Sequence, residues 1–200
     1  MFVTFEGIDG AGKSTQAALC AEWLKGLLGD SNILLTKEPG GWSGGESLRD
    51  VLLYGNLSDP WGELYVFLAD RLEHVKRVIR PALEADKTVI CERYIDSTLA
   101  YQVWGRGLPL KRVNELMQWH NFPMPDLTLL FDLPLEEALR RLNARGRRDE
   151  LEGETFLSHV REGYKSIAGE YDRIKVVDAA LDMWSVHRIV RDIIARCLFQ

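Results

Sequence analysis

Residues 7–14 read Gly7-Ile8-Asp9-Gly10-Ala11-Gly12-Lys13-Ser14, the G-x-x-x-x-G-K-[ST] pattern of a phosphate-binding loop. An apolar run, Phe2-Val3-Thr4-Phe5, precedes it, and a helical pattern from Thr15 to Leu28 follows. That strand–loop–helix order is the context the pattern needs. The glycines let successive backbone N–H groups turn toward one anion, and the helix start adds the positive end of its dipole. Gly7, Ile8, Asp9, Gly10, Ala11, Gly12, Lys13, Ser14 and Thr15 are therefore read as the nucleotide-phosphate cradle. Lys13 can reach the β- and γ-phosphates, and Ser14 can offer its hydroxyl to Mg²⁺.

Working outward, short apolar runs alternate with amphipathic stretches. Strands are expected at Phe2–Phe5, Ile33–Thr36, Thr88–Cys91, Leu127–Asp132 and Lys175–Val177. Helices are expected at Lys13–Leu28, Gly45–Leu53, Trp61–Ala85, Lys111–Trp119, Leu135–Ala144, Glu154–Tyr171 and Met183–Leu198. The alternation, with strands of the fully buried kind, predicts an α/β fold: a central parallel five-stranded sheet with helices on both faces. Ligands in such folds gather at the carboxyl ends of the strands. Asp9, the turn Glu38-Pro39-Gly40-Gly41, Glu92-Arg93 and Ser97 all fall just after expected strands. Residues 1–200 read as one domain, with a mobile lid segment near 144–153.

Composition narrows the setting. Hydrophobic residues make up 46% and charged residues 28% of the 200, which suits a globular protein with a full core. No apolar stretch approaches the ~20 residues of a transmembrane helix. The N-terminus runs straight into a strand without a signal-peptide pattern, so a cytoplasmic setting is expected. Cys20, Cys91 and Cys197 are scattered and odd in number, which fits reduced thiols better than disulfides or zinc. The four histidines show no metal-ligand spacing. A net charge of −5 argues against nucleic acid as a partner, and no membrane partner is indicated. Arg140, Arg141, Arg145, Arg147 and Arg148 run against that balance. They mark either a small anionic ligand or a solvated helix end offsetting the carbonyl dipole.

A phosphate loop alone does not separate a kinase from an ATPase, a GTPase switch or a motor. The chain lacks the N-K-x-D guanine signature, and Glu92-Arg93-Tyr94 places an acid and a guanidinium at the end of the third strand. There Glu92 can hold Mg²⁺ through water, and Arg93 can bridge donor and acceptor phosphates. Phosphoryl transfer needs positioning and charge neutralisation more than covalent chemistry. An acceptor phosphate is already an oxyanion near neutral pH, its second pKa being about 6, so arginines serve it better than a strong base. Two alternatives stay open: a kinase with another monophosphate acceptor, and a nucleotide-binding regulatory module without transferase activity.

Four signatures in order make the chain resemble thymidylate kinases, which convert dTMP and ATP to dTDP and ADP. They are the phosphate loop, Lys37-Glu38-Pro39-Gly40-Gly41, Glu92-Arg93-Tyr94, and Ser97-Thr98-Leu99-Ala100-Tyr101-Gln102 followed by Gly105-Arg106-Gly107. The resemblance covers nearly the whole chain and implies the nucleoside monophosphate kinase fold, ATP with Mg²⁺, and a homodimer. It implies that Asp9 contacts the sugar 3′-hydroxyl and helps order a metal site with Ser14 and Glu92. Glu38 and Pro39 would line the acceptor pocket, and would also make a plain turn after a strand. Arg49 would grip the dTMP phosphate, the alternative being a helix-surface ion pair. Phe67 would stack on thymine and Arg71, four residues on and so on the same helix face, would bond a base carbonyl. An arginine on the face of a buried-looking Phe needs a partner, and a base edge supplies one. Gln102 would read the base, and Tyr101 would fill the space of a ribose 2′-hydroxyl, or else is ordinary core. Ser97 belongs to the same substrate wall. Lys13 and Arg93 would act on the phosphates, Arg140 would lie on ATP, and Arg145 or Arg148 would close as an arginine finger, since Gly10 stands where some relatives carry Arg.

Three departures stand out. Glu92 replaces the usual Asp, which casts doubt on direct metal ligation. Lys37 replaces a common Arg, losing the bidentate fork. Trp42 replaces a small polar residue, and either shapes the acceptor entrance or covers a dimer surface. The long Trp61–Ala85 helix is the candidate for that surface.

Overall fold

A computed structural model describes residues 1–144 and 153–198. Five strands, β1 (Phe2–Glu6), β2 (Ile33–Lys37), β3 (Thr88–Glu92), β4 (Leu127–Asp132) and β5 (Ile174–Asp178), form one parallel sheet in the order β2-β3-β1-β4-β5. β1 lies at the centre, with Phe5 opposite Glu92 on one side and Leu129 on the other. The chain leaves β1 toward β2 and β3, then crosses to β4 and β5. The crevice created by that reversal opens at the carboxyl end of β1, where the phosphate loop begins. Burial follows position. β1 is buried throughout, while β2 and β5 at the edges are partly exposed, at Lys37 and Lys175 among others. Charged side chains on edge strands discourage further pairing.

The helices around the sheet are α1 (Lys13–Leu28), α2 (Gly45–Tyr54), α3 (Pro60–His74), α4 (Arg80–Glu84), α5 (Ile95–Thr98), α6 (Leu110–Trp119), α7 (Leu135–Ala144), α8 (Glu154–Glu170) and α9 (Met183–Leu198). The five strands and parallel order match the expectation, and α1, α7 and α9 have the expected bounds. Two regions differ. The single helix expected over Trp61–Ala85 is α3, a wider π turn over Val75–Ile79, and α4. Pro81 has no N–H to bond back along the helix, and the π turn ends just before it. The second difference is a helical segment with no sequence warning: α5 runs into a π turn over Leu99–Gly105. Packing selects it. A Cβ on Gly105 would meet Phe156 of α8 at 2.6 Å, and one on Gly163 of α8 would meet Trp104 at 2.5 Å. The two glycines let α8 lie directly against the π turn.

Candidate active site

At the phosphate end, α1 starts with Gly12 in the left-handed region (φ 87°) and with no side-chain cap. An uncapped helix start leaves its N–H groups for an anion. A Cβ on Gly12 would meet nothing, whereas one on Gly10, also left-handed at φ 84°, would sit 2.8 Å from the Ala138 carbonyl oxygen. Glycine is therefore required at position 10, and no arginine fits there without a shift. Lys13 is buried and donates Nζ to the Ile8 carbonyl at 2.9 Å. Burial lowers its pKa to about 8; Arg93 adds to the effect, while Asp9, Glu92 and Glu6 oppose it. Phosphates bound beside this ammonium would favour its charged form and raise that pKa again. Ser14 donates its hydroxyl to Glu92 Oε1 at 2.8 Å. One hydroxyl beside one carboxylate suits Mg²⁺, which keeps several waters and takes substrate phosphates as ligands. No group of three or more His, Cys, Asp or Glu forms a closed metal cage among the described residues.

Arg93 occupies the centre. It follows β3 directly, in the left-handed region at φ 63°, a strained conformation for a residue with a Cβ. Its neighbours hold it there: its own N–H bonds the Phe5 carbonyl at 3.0 Å, and the Tyr94 N–H bonds Glu6 Oε1 at 2.7 Å. The guanidinium donates to Asp9 Oδ1 at 2.8 Å and the Tyr101 hydroxyl at 2.9 Å. Its other nitrogen reaches the Ser97 and Tyr164 hydroxyls at 3.3 and 3.4 Å. Burial alone would raise the Asp9 carboxyl, but Arg93 and Lys13, with hydrogen bonds from Arg93 and Tyr101, hold it at about 2. Behind Arg93 lies Glu6, fully buried and accepting from Ser97 at 2.6 Å and Tyr164 at 2.8 Å. Burial raises the Glu6 carboxyl, Asp96 adds to it, and its hydrogen bonds and Arg93 pull the other way.

At the far end, Asp59 caps α3 by accepting from the Trp61 and Gly62 N–H groups, and Pro60 opens the first turn. Glu63, Phe67 and Arg71 then follow at four-residue spacing and all face one cavity of about 510 Å³. Phe67 and Arg71 share a face as expected, yet the expected reason for Arg71 needs correction. Its partners are within the protein: Glu38 Oε2 at 2.7 Å, Thr98 at 2.7 Å and the Tyr94 carbonyl at 2.9 Å. Its burial therefore needs no base edge, although three of five N–H donors engaged leave two. Glu38, joined to Pro39 by a cis peptide, also meets His74 at 3.0 Å, and His74 bonds Thr36 at 2.7 Å. Arg49 donates to the Pro39 carbonyl at 3.2 Å and faces the cavity. Gln102 donates to Glu63 at 2.9 Å.

Trp42 packs on α3 and on the turn before it. Its indole N–H bonds Asp70 at 2.8 Å, the Gly40 N–H meets both Asp70 oxygens at 3.1 Å, and the Arg77 guanidinium lies 5.4 Å from its ring. It fastens the Glu38–Gly41 turn to α3 and is not among the residues lining the cavity.

The cavity thus brings together Asp9, Gly10, Gly12, Lys13, Ser14, Thr15, Glu38, Pro39, Arg49, Phe67, Arg71, Glu92, Arg93, Ser97, Tyr101 and Gln102. Arg140 is not among them; its side chain is 70% exposed and forks onto Glu137 at 2.6 and 2.7 Å. Arg145, Arg147 and Arg148 lie outside the described residues. Sequence reading missed Glu6, Glu63, Asp70 and Tyr164. Glu6 did carry a signal, as an acid closing the otherwise uncharged run Phe2–Phe5, and so did Glu63, one helical turn before Phe67; Asp70 and Tyr164 carried none.

The profile of the thymidylate kinase family matches residues 5–190. A thymidylate kinase of Wolbachia pipientis (strain wPip) is 41% identical over 91% of this chain and 88% of its own length. A probable thymidylate kinase of Pyrococcus abyssi is 45% identical over 97% of this chain and 94% of its own. The crystal structure of thymidylate kinase from Ehrlichia chaffeensis superposes with a TM-score of 0.83 at 36% identity, covering 98% of both chains. With its sequence and its fold both aligned along nearly the full length, the chain belongs to the thymidylate kinase family.

Proposed function

We infer that this chain transfers the γ-phosphoryl group of Mg-ATP to the phosphate of dTMP, giving dTDP and ADP. The observation that carries the reading is one continuous cavity, with the phosphate loop at one end, the Phe67–Arg71–Gln102 wall at the other, and Arg93 between them. A phosphate oxygen of dTMP attacks the γ-phosphorus, and the bond from that phosphorus to the β–γ bridging oxygen breaks. Lys13 and the N–H groups of the loop hold the β- and γ-phosphates. Arg93 neutralises charge on donor and acceptor together, its aim fixed by Asp9 and Tyr101. Ser14 and Glu92 would hold Mg²⁺, which would supply charge neutralisation to the phosphates during transfer. No general base is required of the protein, and no histidine lines the cavity among the described residues. Arg49 takes the acceptor phosphate, Phe67 stacks on the base, Arg71 uses its remaining N–H groups on a base carbonyl, and Tyr101 fills the space a 2′-hydroxyl would need. Arg145 or Arg148 supplies a second guanidinium on closure, with Arg140 nearer the nucleoside of ATP. The protein acts in the cytoplasm as a homodimer; the exposed Tyr54 of α2 and Tyr65 and Leu72 of α3 support an interface there.

An ADP-release assay with Mg-ATP and a panel of dTMP, dUMP, UMP, CMP, dGMP and AMP tests this. Clear preference for dTMP is expected. Equal use of UMP, or no turnover of dTMP, would remove the acceptor assignment.

A further inference from the structure

We propose that Glu63 sets base specificity, by fixing which end of the Gln102 amide faces the substrate. The inference rests on dTMP being the acceptor. Glu63 occupies the first turn of α3, one turn before Phe67, and faces the same cavity. An acid in a first helical turn is ordinarily explained by the dipole. Here its two oxygens are committed elsewhere: Oε1 accepts from Gln102 Nε2 at 2.9 Å, and Oε2 accepts from Arg106 Nε at 3.0 Å. Gln102 is 2% exposed, so its amide has no water-filled alternative orientation.

The chemistry then follows from donor and acceptor counting. A carboxylate only accepts, so the NH₂ end of the Gln102 amide must face Glu63. The carbonyl Oε1 is left for the cavity. An exposed carbonyl asks for a donor on the base edge. Thymine and uracil carry a hydrogen on N3; cytosine carries a lone pair there and would set acceptor against acceptor in a buried site. Glu63 touches no substrate atom in this account. It acts through Gln102, as a positioning residue.

Glu63→Gln makes the idea testable, because it changes one oxygen to nitrogen without changing shape. Arg106 can only donate, so the introduced amide turns its oxygen to Arg106 and its NH₂ to Gln102. Gln102 must then accept with Oε1 and present Nε2 to the base. The polarity of the base-reading amide is inverted. The readout is the ratio of kcat/KM for dCMP to that for dTMP, in wild type and variant. The ratio is expected to rise at least about tenfold, with KM for dTMP rising more than kcat falls. A structural role alone would lower both substrates together and leave the ratio unmoved, and that result with an intact thermal transition overturns the proposal. If Glu63→Gln does not fold, Glu63→Asp keeps the helix-start charge while withdrawing from Gln102; a ratio within twofold of wild type would be equally fatal. Wild type failing to use dTMP would defeat the functional reading itself, whereas dTMP turnover with an unmoved ratio defeats only the role of Glu63.

Discussion

The two ends of the cavity are built by different means. The phosphate end comes from one contiguous stretch, residues 7–15, of which Asp9, Gly10, Gly12, Lys13, Ser14 and Thr15 line the cavity. The base end is assembled from side chains far apart in the chain: Glu38 with Arg71, and Gln102 with Glu63. Backbone donors are delivered by local conformation alone, through glycines at the positions where φ is positive. Side-chain donors must be aimed by other side chains, and a buried one needs every partner in place. The phosphate end is therefore robust to its surroundings, and the base end depends on them.

Arg93 joins the two ends, so its loss should give the largest effect. Arg93→Ala is expected to lower kcat by about 10³-fold or more, as for other guanidiniums on a transferring phosphoryl group, with the fold kept. Single-turnover rates with a circular dichroism check would measure this, and a fall under about tenfold would mean that the centre lies elsewhere. Glu38→Ala should break the base end while sparing the phosphate end. It strands the buried Arg71 charge and the His74 ring, and a loss of about 3–5 kcal/mol in urea unfolding is expected. ATP-analogue binding to the protein that remains folded should hold near wild type; if it falls in step with stability, the two ends are not separable.

The smallest effect is a pH dependence confined to the phosphate end. Lys13 has a pKa of about 8 in the ligand-free protein, below its ordinary 10.5 because of burial. Phosphates favour its charged form, so binding takes up a proton once pH exceeds the free value. Affinity for an ATP analogue should be flat below that point and weaken above it, approaching about tenfold per pH unit. Calorimetric titration in buffers of different ionisation enthalpy would show the proton. An affinity unchanged through about two units above the free value would contradict the low pKa. The same lysine makes unfolding harder, not easier, as pH climbs from about 8 toward 10.5, since the unfolded chain then binds the extra proton.

What the sequence revealed follows the same division. Residues 7–15 and the strand ends could be placed because their signals are contiguous: apolar runs, glycines, a lysine at fixed spacing. Phe67 and Arg71 could be set on one face because helical periodicity links them. The network behind Arg93 was hidden, because Glu6 and Tyr164 stand 158 positions apart and no local pattern joins them. The contact of Trp42 with Asp70 was hidden as well, since Asp70 reads as an ordinary helix acid until the fold brings Gly40 onto it. Residues 95–105 drew no helix expectation, because their helicity comes from contact with α8, which periodicity does not record.

That π turn over Leu99–Gly105 carries one more consequence. It lies between Ser97 and Thr98 on one side and Arg106 on the other, all of which face the cavity. Removing one residue such as Ala100 or Val103 would restore the ordinary helical pitch and swing everything beyond by about 100°. Arg106 would leave Glu63, and Gly105 would leave its seat against Phe156, although every named side chain survived. In this stretch chain length is itself a specified quantity, and descendants of this sequence can exchange residues there more freely than they can gain or lose one.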